Sequence, residues 1–262
     1  MNRFWTLSIA AALASMAACS SSEDSPTPAA PDEEEPLTSS SVLELDDVKT
    51  NPTDYEFVDF KPNVQKLILA GAADTEHVAI LWYTVTDGGV GLHYHAKTES
   101  VYVIDGTQTD AKGVYPTATV YFNPPGSGHQ IKDSSGFFLL AYAAPPDFSS
   151  TDLIGDYTPI RIETDAEDLT STYPFEETTT GVRTFAPLLD GAGGMSAEFI
   201  EISSSKAYHY TGNYLLVVKG SCDIEGVTFG EDMVVVSKTV EPQPYKVTAS
   251  KGSTCLAMGV SF

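Results

Sequence analysis

Beyond residue 50 the sequence consists of short runs rich in Val, Ile, Tyr, Phe and Thr, separated by Gly, Pro, Asn and Asp. Runs of this composition predict β-strands, and the turn-forming residues between them predict short connections. No stretch shows sustained helical periodicity. The spacing of the runs is typical of an all-β sandwich or barrel, and 262 residues suffice for one large β domain or two smaller ones.

The two halves of this β-rich chain repeat each other weakly. Three blocks align at offsets of 114, 116 and 118 residues: 93–106 on 207–220, 130–143 on 246–259, and 63–67 on 181–185. Near-constant offsets over three blocks favour a duplicated module. We therefore predict two tandem β domains, at 51–150 and 151–262, joined by a Pro-, Asp- and Thr-rich segment around 145–180.

The N-terminus has the composition of an export signal. Residues 1–18 combine a basic start, an apolar run too short to span a bilayer comfortably, and small residues, which predicts a cleaved signal peptide. Met16–Cys19 resembles the lipobox of bacterial lipoproteins, which implies a lipid anchor on Cys19; an ordinary signal peptide with a chance cysteine is the alternative. Residues 19–50 are acidic and rich in Ser and Pro, which predicts a disordered tether. Ser20 resembles the sorting residue of outer-membrane lipoproteins, so we expect an outer-membrane protein of the cell envelope, either periplasmic or surface-exposed.

The net charge of −22 argues against some classes of partner. Nucleic acid and anionic membrane surfaces repel such a field, so we expect contact with a membrane only through the lipid at Cys19. The expected partner is a small-molecule ligand or substrate, and a homodimer is left open. With Cys19 assigned to lipid, Cys222 and Cys255 are two thiols that an oxidising compartment allows to pair, although the sequence does not supply the distance between them.

Two of the five histidines stand two positions apart, in the segment HYHAKTE. In a strand, His93 and His95 project from the same face, and Glu99 follows after a turn at residues 96–98. His129 lies in a turn-prone segment, NPPGSGHQIKD. Imidazoles and one carboxylate form a ligand set that suits Zn, Fe, Mn, Ni, Co or Cu. His77 and His209 are interpreted as ordinary hydrogen-bonded or exposed residues.

The two segments resemble the two motifs of the cupin superfamily, H-x-H-x3-E-x6-G and P-x-G-x2-H. The resemblance implies two tandem cupin barrels, of the double-stranded β-helix or jelly-roll type, and assigns His93, His95, Glu99 and His129 as metal ligands. Residues of about 55–145 are further similar to the zinc-binding cupin domain of ChrR-type anti-sigma factors. We do not carry over their regulatory role, because this chain has a spacer where those proteins have a helical domain.

The second barrel is predicted to be degenerate. In the alignment Ala207, His209, Asn213 and Tyr245 stand where the first module has its four ligands. A single matching ligand cannot hold a transition ion, so we expect this half to be structural or to form a pocket without metal.

Two classes of function remain open. One is a metal-dependent enzyme, dioxygenase-like or isomerase-like, that acts on a small oxygen-rich molecule through one divalent ion, Zn, Fe or Mn, with Glu99 as both ligand and candidate catalytic base. The other is a non-enzymatic, zinc-binding sensor or binding protein; a metal that only braces the barrel, and a sugar-binding second barrel, are weaker alternatives.

Overall fold

The computed structural model describes residues 37–149, 157–166, 168–188 and 193–262. The predicted signal peptide, Cys19 and the tether as far as residue 36 lie outside these ranges. Over the ranges that are described, no helix has both the length and the apolar character required to cross a bilayer.

The described chain begins with three short elements that precede the first barrel. Strand β1 (Ser40–Glu44) leads directly into helix α1 (Leu45–Thr50), and a 3₁₀ turn follows at Pro52–Asp54. The helix buries Leu45 and Val48 and carries two acidic residues in its first turn, where negative charge complements the helix dipole.

The first, or front, barrel is formed by antiparallel strands. These are β2 (Val58–Lys61), β3 (Val64–Gly71), β4 (His77–His95), β5 (Glu99–Asp110), β6 (Gly113–Pro116), β7 (Thr119–Asn123), β8 (Ser127–Tyr142) and β9 (Ile160–Glu163). They pair in the order β2-β3-β4-β8-β5-β7-β9, and β6 pairs with β5. The pairings of β8 with β4 and with β5 both contain register shifts. Such irregularities bend strands, so three long strands wrap around one interior.

The second, or back, barrel follows helix α2 (Leu169–Thr172). Its strands are β10 (Glu176–Thr179), β11 (Val182–Leu188), β12 (Ser196–Ile202), β13 (Tyr208–Gly212), β14 (Tyr214–Gly220), β15 (Cys222–Ile224), β16 (Val227–Phe229), β17 (Met233–Ser237), β18 (Gln243–Ala249) and β19 (Cys255–Ser261). They form one sheet in the order β1-β17-β14-β19-β12-β11-β10 and another in the order β13-β18-β15-β16.

The two barrels have the same topology, which confirms the predicted duplication. Read from its other edge, the back sheet runs β10-β11-β12-β19-β14-β17-β1, strand for strand as the front sheet runs β2-β3-β4-β8-β5-β7-β9. The smaller back sheet, β13-β18-β15-β16, corresponds to the distal ends of the long strands in the front sheet. An all-β pair of jelly-roll barrels is therefore the observed fold.

Each sheet has an outer strand that lies outside the predicted bounds of its domain. Strand β1, which precedes the front barrel, pairs with β17 of the back barrel, and β9, which follows the front barrel, closes the front sheet against β7. The predicted tether to residue 50 is therefore wrong for 40–50, and β9 lies in the front sheet although it falls within the predicted second domain. Composition alone marks 40–50 as polar, but residues 40–44 gain backbone partners in β17 and the helix that follows buries Leu45 and Val48.

Three apolar clusters fill the molecule. One lies between the barrels, one inside the front barrel and one inside the back barrel. Inside the back barrel Cys222 and Cys255 are buried and form a disulfide with Cα atoms 4.9 Å apart. Between the barrels the Tyr102 hydroxyl donates to Asp232 at 3.0 Å. The back barrel is thus held by apolar packing and a covalent cross-link.

Candidate metal centre

The first two predicted ligands stand at the end of β4. His93 and His95 alternate with Tyr94, so both imidazoles face the barrel interior while Tyr94 faces away. The backbone of Tyr94 exchanges two hydrogen bonds with that of Asp147, at 2.9 and 2.8 Å. This isolated bridge fixes the edge of the barrel at the point where the histidines are presented.

The other two predicted ligands reach the same point from neighbouring strands. Glu99 begins β5 after the bend at 96–98, as the sequence predicts, and His129 lies on β8 directly opposite His93 in the ladder. One ligand atom from each of His93, His95, Glu99 and His129 lies within 4.8 Å of every other. The structure therefore brings all four predicted site residues together.

The three closest ligand atoms form a nearly equilateral triangle. The Nε2 atoms of His95 and His129 are 3.1 Å apart, and Oε2 of Glu99 lies 3.3 Å from the first and 3.6 Å from the second. Two donors bound to one ion at about 2.0–2.2 Å each are separated by roughly 3–3.5 Å. The triangle therefore has the dimensions of one face of a metal coordination shell.

The hydrogen bonds behind the ligands fix which atoms face the centre. Nδ1 of His93 lies 2.9 Å from the Gly91 carbonyl oxygen, and Nδ1 of His129 lies 3.0 Å from Oδ2 of Asp110. Both partners accept, so both Nδ1 atoms carry the proton and each Nε2 presents a lone pair. Outer acceptors of this kind orient metal-binding histidines in known sites.

Glu99 and His95 are held differently. Oε2 of Glu99 accepts a hydrogen bond of 2.8 Å from the side-chain amide of Asn123. The imidazole of His95 stacks on Tyr142, with ring centroids 5.9 Å apart and planes 10° apart, and its Nδ1 has no hydrogen-bond partner among the described residues. His95 is thus oriented by packing.

Burial keeps the imidazoles of His93 and His95 neutral. The four ligand residues are between 1 and 4% exposed, and burial penalises the charged form of an imidazole. Burial, followed by the neighbouring His129 and His95, lowers the pKa of His93 to about 3, and burial with the adjacent His129 places the pKa of His95 well below its usual value. Three imidazoles and one carboxyl group, with His93 and His95 held neutral, form the donor set of a divalent transition ion, so the residues fit a metal.

A small cavity lies beside the cluster and is lined by three of the four ligands, His93, Glu99 and His129. Its empty volume of about 290 Å³ includes open solvent, so the enclosed part is much smaller. Its wall combines aromatic and aliphatic groups with a few polar ones: Phe60, Leu81, Tyr83, Val90, Gln108, Ile131, Leu140, Tyr142, Pro146 and Phe148. Such a wall limits the access of water to the three ligands that line it.

Aromatic and cationic groups gather at the mouth. The ring of Phe148 lies 5.2 Å from that of His93, and the ammonium of Lys61 sits 3.4 Å from the centroid of Phe148 and 5.3 Å from that of Phe60. A cation held over aromatic faces is attracted by their quadrupoles. The ammonium of Lys61 therefore lies against two aromatic residues of the cavity wall.

Another cation, Lys66, is buried inside the front barrel. Nζ of Lys66 is 3.2 Å from Nε2 of His77, whose Nδ1 donates to the Thr75 carbonyl at 2.7 Å, so the ammonium donates to a neutral imidazole. Burial lowers the pKa of His77 to about 4 and that of Lys66 to about 8. His77 is therefore a hydrogen-bonded residue, as expected from the sequence.

The back barrel lacks the equivalent site. His209 is exposed, the side chain of Asn213 bonds to the backbone of Val240 and Phe262, and the Tyr245 hydroxyl lies 3.2 Å from that of Ser40. Among the residues that the structure describes, only the front-barrel group could hold an ion. In the second barrel, Asn213 and Tyr245 make structural hydrogen bonds at the positions that correspond to ligands in the first.

The sequence did not point to Asp110, Asn123, Lys66 or Phe148 as parts of the site. Asn123 directly precedes the proline-glycine motif that leads to His129 and could have been suspected from that position. Asp110 reaches His129 only through the pairing of β5 with β8, so no local pattern marks it. Partners of this kind are set by the pairing of strands that are distant in sequence.

Comparisons with known proteins agree with this description. Residues 45–144 match the family model of the ChrR cupin-like domain. A candidate dioxygenase from Nostoc punctiforme has a similar structure, with a TM-score of 0.57 and 11% identity over 88% of this chain and 85% of that one. A cupin 2 conserved barrel domain protein from Leptotrichia buccalis gives a TM-score of 0.54 and 8% identity, over 84% and 95% of the two chains.

An enzyme of known name is also similar in structure. Salicylate 1,2-dioxygenase from Pseudoaminobacter salicylatoxidans, solved with gentisate adducts, gives a TM-score of 0.53 and 12% identity over 87% of this chain and 83% of that one. At such identities the likeness shows the fold alone. No curated protein sequence matches the chain significantly.

Fold and site together define a double jelly-roll protein with one cluster of three histidines and a glutamate suited to a metal. Residues 45–144, which include all four ligand residues, match the ChrR cupin-like family model, and the two barrels together have a fold similar to that of the three solved structures named above.

Proposed function

We propose that the protein is a metal-dependent enzyme, dioxygenase-like or isomerase-like, that binds a small oxygen-rich molecule in the front barrel. The observation that carries the proposal is the convergence of four buried ligand groups, three of which line a small cavity. His93, His95, Glu99 and His129 would hold one divalent ion, Zn, Fe or Mn. Such an ion supplies Lewis acidity or, if it is iron or manganese, a centre for oxygen chemistry.

The chain's own groups would bind and orient the substrate. The apolar wall formed by residues such as Leu81, Ile131 and Leu140 removes water from around it, which strengthens polar contacts. Asp110 holds the imidazole of His129 in one tautomer, and Asn123 holds the carboxylate of Glu99 in place. Glu99 would serve as the base when its carboxylate leaves the ion, exchanging its role as ligand for that of proton acceptor.

Elemental analysis of protein purified without added metal tests the first part of this proposal. We expect about one equivalent of zinc, iron or manganese, and none in a His93→Ala variant. The expected turnover is lost with the metal, so catalysis that persists in a metal-free His129→Ala variant would remove the enzyme hypothesis. Oxygen consumption with gentisate or salicylate, the molecules associated with the structurally similar dioxygenase, is a first assay for iron-loaded protein.

A zinc-binding sensor or binding protein is the second candidate. It is favoured by the match to the ChrR cupin-like family and by the burial of all four ligands, with the ring of Phe148 against that of His93. This function needs no ligand position open to exogenous molecules. Cobalt-substituted protein distinguishes the two candidates, because a visible spectrum that changes on addition of azide supports an enzyme and an unchanged spectrum supports the sensor.

We further propose that the protein is anchored to the outer membrane through a lipid on Cys19. The support is the lipobox-like sequence Met16–Cys19 and the Ser- and Pro-rich segment that follows. Labelled palmitate should enter the wild-type protein and not a Cys19→Ser variant. Equal labelling of both, or a soluble wild-type protein in fractionated cells, would contradict the anchor.

A further inference from the structure

A glycine of the back barrel lies against both ligand-bearing turns of the front barrel. Gly193 and Gly194 precede β12, and the Gly193 carbonyl accepts a hydrogen bond of 2.9 Å from the backbone N–H of Thr98. Thr98 is the residue before Glu99 and closes the bend that separates Glu99 from His95. A residue of one barrel thus contacts the backbone that carries a ligand of the other.

The approach is too close for any side chain at Gly193. A Cβ built there would lie 2.0 Å from Oγ1 of Thr98 and 3.0 Å from Cγ of Pro125, which belongs to the turn that leads to His129. Contacts below 3.0 Å force a shift, and the φ angle of Gly193 is not in the left-handed region. Gly193 is therefore required for the contact itself, whereas Gly194, with a φ of +73°, is required for the turn.

The two ligand turns are themselves joined at this point. The Gly126 N–H donates to the His95 carbonyl at 2.8 Å, and the Ala143 N–H donates to the Thr98 carbonyl at 3.3 Å. Thr98 is thereby held by its own barrel through its carbonyl and by the back barrel through its N–H. Its hydroxyl is buried and has no hydrogen-bond partner among the described residues. That side chain serves to fill the space beside Gly193.

We infer that the Gly193–Gly194 turn is a positioning element for the metal centre, by which the back barrel sets the placement of Thr98 and, through it, of Glu99. The inference rests on the proposed metal function. It gives the degenerate barrel a role that needs no ligand of its own. Because coupling between two parts of a protein is reciprocal, metal bound by the front barrel must also strengthen the contact with this turn.

A Gly193→Ala variant tests the inference through zinc affinity measured by competition with a chromophoric chelator. The added methyl pushes Thr98 away, so we expect zinc to bind at least about tenfold more weakly, the loss typical of disturbing groups that orient metal ligands. The visible spectrum of the cobalt form should change as well. Gly230→Ala is the matched control, since Gly230 also lies in the back barrel, has no left-handed φ, and a Cβ there meets no atom within 4 Å.

Rescue separates positioning from general damage. Truncating Thr98 in a Gly193→Ala/Thr98→Ala variant removes the nearest clashing atom and should restore zinc affinity to within about threefold of wild type, whereas Thr98→Ala alone should bind normally. An unchanged affinity and spectrum in Gly193→Ala, or a double variant that binds as weakly as Gly193→Ala, would overturn the inference.

Amide exchange of the wild-type protein gives a test that does not depend on the folding of any variant. The Thr98 N–H should exchange more slowly when zinc is added, and an unchanged rate in protein that has taken up zinc would overturn the coupling. A wild-type protein that takes up no metal would overturn the proposed function together with this inference, so the two failures are distinguishable.

Discussion

The Nε2 atoms of His95 and His129 face each other at 3.1 Å across the interior of the front barrel. Because Nδ1 of His129 donates to Asp110, its Nε2 presents a lone pair to the ring opposite. Burial prevents water from separating the two nitrogens, and a shared cation would satisfy both. The arrangement is that of ligands which are organised before the ion binds.

Loss of one ligand should abolish metal binding. We expect His129→Ala to bind zinc at least about 100-fold more weakly, since disturbing even an outer partner of a ligand costs about 10–100-fold. Metal content by mass spectrometry is the measurement. His209→Ala, which changes the exposed histidine at an aligned position of the back barrel, should retain full metal content.

The outer acceptor of His129 should matter almost as much. Asp110→Asn removes the carboxylate that fixes the protonated Nδ1, so we expect zinc affinity to fall about 10–100-fold. Asp105→Asn, an exposed change on the same strand, provides the control. Identical chelator-competition curves for the two variants would contradict the role given to Asp110.

Acid should destabilise the protein partly through His77. Its pKa is lowered to about 4 in the folded state from an ordinary value of 6.5, so the unfolded state binds more protons between these values. Folding stability contributed by neutral His77 is therefore complete above about pH 6.5 and is lost as the pH falls towards 4.

A variant isolates this contribution. His77→Gln keeps a hydrogen-bond acceptor for Lys66 but does not titrate, so the fall in the free energy of unfolding between pH 7 and 4.5 should be smaller than in wild type by roughly 2–3 kcal/mol. Urea unfolding at both pH values gives the difference. Parallel losses in the two proteins would show that His77 is not the group responsible.

The disulfide should contribute substantially to the stability of the back barrel. Cys222 and Cys255 are separated by 33 residues, and closing a loop of this length is worth about 3–4 kcal/mol in the chain-entropy model. A Cys222→Ala/Cys255→Ala variant should unfold at correspondingly lower guanidinium concentration. Reductant should destabilise the wild type and leave the variant unchanged; equal responses would refute the assignment.

The ligands could be predicted from the sequence because their pattern is local. His93 and His95 share a face by strand periodicity, and Glu99 follows after one turn, so only His129 depends on the wider fold. The repeat likewise predicted two barrels. Pairing partners distant in sequence, such as Asp110 for His129, require the register of the sheets and could not be read from spacing.

The order of residues 40–50 could not be predicted for a related reason. The segment SSVLE has few apolar residues and continues an acidic, serine-rich stretch, so by composition it belongs to the tether. It is ordered because β17 offers a free edge to pair with, and that edge is formed by residues almost 200 positions later. Tertiary pairing overrides local composition here.

The edge strands β1 and β9 make it difficult to divide this protein into two stable halves. Cutting at residue 51 would strip the back sheet of β1 and bare the edge of β17, and cutting at 150 would deprive the front sheet of β9. Each fragment would then expose an unpaired strand edge, which promotes self-association. The two barrels therefore have to be expressed together, as one folding unit.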